Sequence, residues 1–241
     1  MQCLIVAAGQ GTRLRGIASL KPLAEVWGVP LIVRIMESAL AGGGSEFVVV
    51  TGYEGDRLEA FLATFAAERG VKITCVRNHQ WMGSNGLSVV AARPVLQDRF
   101  ILLMSDHLFD PTIMADLISH GANSMGVTLA VDRRLDNPLV DLEDVTRVRT
   151  DPDGRIVSIG KLIEPYDVFD TGIFLASPEL PIAIESADAA GEGAGISSGM
   201  QRLAAQGLAS TFDIGDRFWL DVDDPTAYGH AVRETAQLVR T

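Results

Sequence analysis

The chain has 241 residues, 47% of them hydrophobic, enough for one large α/β domain with a sizeable core. A formal net charge of -11 and a pI near 4.7 argue against a general nucleic-acid or anionic-membrane surface, since both reward basic patches. No run of ~18 apolar residues occurs and no export-type leader opens the chain, so a cytoplasmic protein is expected.

Along the chain, the apolar run CLIVAA at 3–8 reads as a strand buried on both faces. Pro30 opens a helical stretch closed by the glycines at 42–44, and EFVVVTG at 46–52 is the next buried strand. A helix over 56–69, a strand over 71–76, a short helix over 86–93, a strand over 99–106, a helix over 111–120 and a strand over 125–131 continue the alternation. The texture then changes. Residues 146–161 read as a hairpin turning at Asp151-Pro-Asp-Gly154, and 167–176 as a strand. Helices at 179–190 and 196–206, strands in STFDIG and FWLDV, and a helix over 225–240 close the chain. This order predicts an α/β fold with a mostly parallel sheet and helices on both faces. The half 1–131 reads as a nucleotide-binding unit, and 132–241 as an insertion-rich portion that covers the sheet and shapes a second pocket, within a single domain. Cys3 and Cys75 sit in apolar strand-like runs without metal-ligand spacing and are expected to be buried, reduced thiols.

Ligands of open parallel sheets lie outside the carboxyl ends of the strands. The loop after the first strand there reads Ala7, Ala8, Gly9, Gln10, Gly11, Thr12, Arg13, and continues to Lys21-Pro22. Glycines let backbone N–H groups approach phosphate oxygens, and cations compensate their charge. The pattern is neither GxxxxGK[ST] nor a dinucleotide fingerprint, because position 14 is Leu14 rather than glycine. Residue by residue it is a triphosphate cradle with Arg13 and Lys21 as charge clamps.

LIVAAGQGTRL followed by KPLAEVWGVPLI resembles the signature of the sugar-phosphate nucleotidyltransferases, LAAGxGxRL with a later KPL. That resemblance implies a glycosyltransferase-A-like, Rossmann-like sheet with an inserted acceptor-binding portion. It also implies Mg²⁺-dependent attack of a substrate phosphate oxygen on the α-phosphorus of a nucleoside triphosphate, releasing pyrophosphate. The metal should then show as carboxylates at strand ends: Asp106 closes FILLMSD, and Asp221 and Asp223 lie in FWLDVDDP at i, i+2, on one face of an extended segment. Asp224, before Pro225, reads as the N-cap of the last helix. His107 is open between a metal ligand, a contact behind the metal or to substrate, and a structural role. In this family the loop after the third strand reads the base, which points to Asn85, Gly86 and Ser88 in WMGSNGLS.

NGLS, SDH, IGK, DTGIF and WLDVD in this order are similar to the CTP:inositol-1-phosphate cytidylyltransferase branch. That likeness assigns Lys161 to the acceptor phosphate and Asp170 with Thr171 to its hydroxyls, with CTP and a phosphorylated polyol as substrates. Phosphocholine cytidylyltransferases and hexose-1-phosphate nucleotidyltransferases are the competing branches. A catalytically silent nucleotide-sensing subunit is the rival of another class, although such copies usually lose Arg13, Lys21 or a metal carboxylate. In some relatives the cytidylyltransferase is fused to a membrane phosphotransferase, which here would be a separate protein. The chain departs from the branch at 132–145 and 191–199, where an acceptor-specific lid would lie.

Overall fold

Gln2–Ala7 (β1) is apolar on both sides because it lies mid-sheet, between Glu46–Thr51 (β4) and Phe100–Met104 (β6), parallel to both. A computed structural model describes residues 1–121 and 126–238. The long connection after β1 holds single turns of 3-10 helix at Thr12–Leu14 and Lys21–Leu23 and the small ribbon Glu25–Val26 (β2) and Val29–Pro30 (β3). Helix Leu31–Ala41 (α1) starts one residue after Pro30, as the sequence indicates. Next come Gly55–Arg69 (α2), Lys72–Arg77 (β5), Gly86–Ala92 (α3), His107–Phe109 (β7) and Pro111–His120 (α4). Val127–Asp132 (β8) covers the strand expected at 125–131, whose first residue lies outside the described residues.

The hairpin is Arg147–Thr150 (β9) with Ile156–Gly160 (β10), and Val168–Ala176 (β11) follows it. Glu179–Ala189 (α5), Ile196–Ala205 (α6), Ala209–Asp213 (β12), Trp219–Asp221 (β13) and Pro225–Leu238 (α7) complete the order, and residues 239–240 of the expected last helix lie outside the described residues. The nine-stranded sheet runs β10-β9-β11-β6-β1-β4-β5, with β8 pairing β11 and β12. It is parallel from β6 to β5 and turns mixed at β11, antiparallel to β6 and β8. Both halves of the chain thus contribute strands to one sheet.

Alternation along the strands sorts the core into two layers. Cys3, Ile5 and Ala7 face α1, α2, α4 and α7; Leu4 and Ala8 face α3, α5 and α6. Each fully buried Leu, Ile or Phe on these faces is worth about 1.5–3 kcal/mol relative to exposure, and the two layers hold the strand ends in place. β13 lies off the large sheet and pairs β7 alone, Asp221 opposite His107. Cys3 is buried as expected, its thiol pushed up to about 12 by burial. Cys75 corrects the other half of that expectation: it is exposed, on β5, the edge strand of the sheet.

Candidate active site

The carboxyl ends of β1, β6 and β13, with Asp170, Gly172 and Phe174 of the antiparallel β11, surround a cavity of ≈ 420 Å³. Gly9 and Gly11 serve it for different reasons. Gly9 has open space where a side chain would begin, so a ligand can reach its backbone. Gly11 has a left-handed backbone (φ +59°), and a Cβ there would lie 2.3 Å from the Cβ of Lys21. It is what lets the Lys21 turn fold back against the loop. Pro22 stiffens that turn, and the Lys21 side chain is only 7% exposed.

Lys21 Nζ sits between Asp106 (2.5 Å from Oδ2) and Asp223, with which it also pairs. Burial pushes its ammonium down, but Asp106, Asp221 and Asp223 outweigh that and hold it above the ordinary lysine range. Arg13 reaches Asp144 (2.7 Å) and Asp223, and Lys161 pairs with the same Asp144. The paired cations hold Asp144 at about 2 despite its partial burial. Asp106 follows β6, Asp221 ends β13, and Asp224 Oδ1 accepts from Ala227 N (2.7 Å), the N-cap the sequence indicates.

His107 opens β7, and its Nδ1 lies 2.8 Å from the Thr171 carbonyl. That contact assigns the proton to Nδ1 in the neutral ring and turns Nε2 toward Asp221 (3.4 Å) and Asp106 (3.7 Å). Burial disfavours the imidazolium, yet Asp221 and Asp106 raise its pKa to about 10. Gly172 makes room for the ring: it has φ +76°, and a Cβ would meet His107 Nδ1 at 2.3 Å. Asp170, beside it, accepts from Gly172 N (2.7 Å), and burial raises its carboxyl to about 6.

Among the described residues there are two groups in each of which the donor atoms lie within 4.8 Å of one another, Asp106–His107–Asp221 and Asp144–Asp221–Asp223, sharing Asp221. The buried Asp221 Oδ1 atom has no hydrogen-bond partner among the described residues. A buried carboxylate oxygen without a donor, among hard oxygen ligands, fits a divalent cation.

Of the residues expected from sequence, Ala8, Gly9, Gly11, Arg13, Lys21, Asn85, Ser88, Asp106, Lys161, Asp170, Asp221 and Asp223 line the cavity. Four others lie outside its lining. Ala7 points into the core layer opposite Ala8, and Thr12 lies on the exposed outer side of its turn. Thr171 also faces inward: it is buried and its hydroxyl donates to the Ala130 carbonyl (2.8 Å), because consecutive strand residues face opposite ways. Gly86 is buried under the 191–195 loop, where a Cβ would meet the Ala194 carbonyl at 2.3 Å. Gly86→Ala should therefore destabilise the fold by about 1–3 kcal/mol through overpacking. Calorimetry checks this as a thermal midpoint lowered by roughly 2–4 °C per kcal/mol.

The other two polar groups of the 85–88 segment already have partners: Ser88 Oγ accepts from Asn78 Nδ2 (3.1 Å) and Asn85 Oδ1 from Ile196 N (3.0 Å). Asn85 thereby caps α6, and of the glycine-rich 191–199 stretch Ile196 and Ser197 line the cavity while residues 191–193 are exposed. Trp81, edge-on to Tyr53 (5.4 Å between centroids), lines this end of the cavity. Sequence reasoning missed Trp81 and, above all, Asp144, which no local spacing marks.

A mixed α/β sheet with this glycine loop, its paired cations and a carboxylate cluster at the strand ends defines a fold of the nucleotidyltransferase type. The profile of the MobA-like NTP transferase domain matches residues 3–147, and the chain belongs to that family. It is similar to the bifunctional IPC transferase and DIPP synthase of Rubrobacter xylanophilus, 35% identical over 226 residues, covering 92% of this chain and 49% of that protein. The chain thus spans about half the length of that relative. The inositol-1-phosphate CTP transferase from T. maritima superposes with a TM-score of 0.82 at 26% identity, over 95% of this chain and 94% of that one. A UDP-glucose pyrophosphorylase complexed with UDP-glucose shares the fold, with a TM-score of 0.80 at 18% identity over 98% of both chains. Among the described residues no helix is long and apolar enough to cross a membrane.

Proposed function

We propose that this chain transfers the cytidylyl group of CTP to inositol 1-phosphate, giving CDP-inositol and pyrophosphate. The observation that carries the reading is the meeting, across one cavity, of the glycine-loop cations Arg13 and Lys21 with Lys161 and Asp170 and with the carboxylates between them. The IPC transferase and CTP transferase relatives support the choice of base and acceptor. In this reading residues 1–131 hold the nucleotide and 132–241 complete the acceptor side. A membrane phosphotransferase would consume the product.

Arg13 and Lys21 hold the triphosphate against the backbone at Gly9, and Trp81 with the 85–88 segment borders the base. Lys161 holds the acceptor phosphate, and the Asp170 carboxylate accepts from a polyol hydroxyl. An acceptor phosphate oxygen forms a bond to the α-phosphorus while the bond from that phosphorus to the bridging oxygen breaks, and pyrophosphate leaves with the electron pair. Lys21 and Arg13 stabilise the charge that develops there. Asp106, Asp221 and Asp223 would hold Mg²⁺, which when bound supplies charge neutralisation between the two substrates.

Pyrophosphate release across four nucleoside triphosphates and a dozen phosphorylated acceptors tests this. Turnover confined to CTP with inositol 1-phosphate is expected; turnover of UTP or dTTP with a hexose 1-phosphate would overturn the substrate assignment.

A further inference from the structure

Among the described residues, Asp132 at the end of β8 is the one carboxylate-bearing residue with a fully buried side chain, and it lies behind the cavity wall rather than in it. Its two oxygens accept from Arg134 N (2.9 Å), Arg134 Nε (2.8 Å) and Nη2 (2.9 Å), Asn137 Nδ2 (2.8 Å) and Trp219 Nε1 (2.8 Å). Burying a carboxylate is costly unless it is paired and hydrogen-bonded, and Arg134 alone meets the charge. Asn137 and Trp219 add no charge. What they add is geometry.

These donors lead to two parts of the site. Trp219 lies in β13, two residues before Asp221, in a ribbon that is not hydrogen-bonded into the large sheet. The Arg134 guanidinium also donates to the Arg217 carbonyl (2.9 Å), at the approach to the same strand. Asn137 starts the cavity wall: its Oδ1 accepts from Leu139 N (3.0 Å), and Leu139, Val140 and Asp144 line the cavity. One buried anion therefore fixes both the strand that carries Asp221 and the segment that carries Asp144.

We propose that Asp132 is a positioning residue, anchoring the carboxylate-bearing ribbon through Trp219 and the acceptor-side wall through Asn137. This rests on the reading of Asp221 and Asp223 as cation ligands.

The two arms can be separated. Mn²⁺ titrated into the protein and followed by electron paramagnetic resonance reports the first arm without turnover. Trp219→Phe removes the indole donor, and the proposal expects Mn²⁺ affinity to fall by roughly 10–100-fold, as for partners behind metal ligands elsewhere, with a near-native thermal midpoint. A folded Trp219→Phe that binds Mn²⁺ as the wild type does overturns it. Asn137→Ala should lower the Mn²⁺ affinity less than Trp219→Phe does and raise the acceptor KM more than it lowers kcat. An unchanged acceptor KM in that variant overturns the second arm, and this is readable even if Trp219→Phe does not fold. Wild-type protein that binds no Mn²⁺ would instead overturn the cation reading of Asp221 and Asp223, leaving the Asn137 arm to decide the role of Asp132.

Discussion

Lys21→Ala should abolish nearly all pyrophosphate release. Lys21 is held by Gly11 and the Pro22 turn with its ammonium buried among three carboxylates, so its charge is placed before any substrate arrives. Removing a preorganised charge of this kind costs ~3 kcal/mol or more in the transition state, roughly 100-fold or more in rate. The loss should fall on nucleotide affinity as well as kcat, because the triphosphate loses a cation. A steady-state assay of pyrophosphate release, with CTP binding followed by calorimetry, reads both. Release at the wild-type rate would sink the assignment of Lys21.

Asp223→Ala should lose turnover to a similar extent, with a different signature. Asp223 pairs with both Arg13 and Lys21, so its removal leaves each cation with one carboxylate partner fewer: Arg13 keeps Asp144 and Lys21 keeps Asp106. Metal-free CTP should therefore bind at least as tightly as to the wild type, while turnover, which needs the cation that Asp223 helps to hold, is lost. A variant that weakens metal-free CTP binding and keeps its rate would contradict both halves of this account.

Much of the fold was legible because the chain is locally consistent. Continuous apolar runs marked the strands at the centre of the sheet, and Pro30, Pro111 and Gly70 marked helix ends within a residue or two. The glycine loop was legible for the same reason, since close approach to phosphate restricts residue type at fixed positions. The side-chain direction of Thr171 was available from the sequence: in a strand, Asp170 and Thr171 point to opposite faces, and the Thr171 hydroxyl turns to the Ala130 carbonyl. Ala7 and Ala8 repeat that lesson. Cys75 could not be read from its run, because a strand's place at the sheet edge depends on the order of all the others. Asp144 is of the same kind. It meets Arg13 across 131 positions of sequence, and DLEDVT has no spacing that foretells it.

The pairing of Asp144 and Asp223 with the site's cations has a further consequence. Arg13, Lys21 and Lys161 each already have an internal partner, so a polyanion entering this cavity displaces carboxylates more than bulk counterions. Binding becomes an exchange of partners. A polyanion alone would leave expelled carboxylates uncompensated, and a divalent cation alone would compete with lysine and arginine for them. Arriving together, the two complete both halves of the exchange, which is how a chain with a net charge of -11 can accommodate a triphosphate.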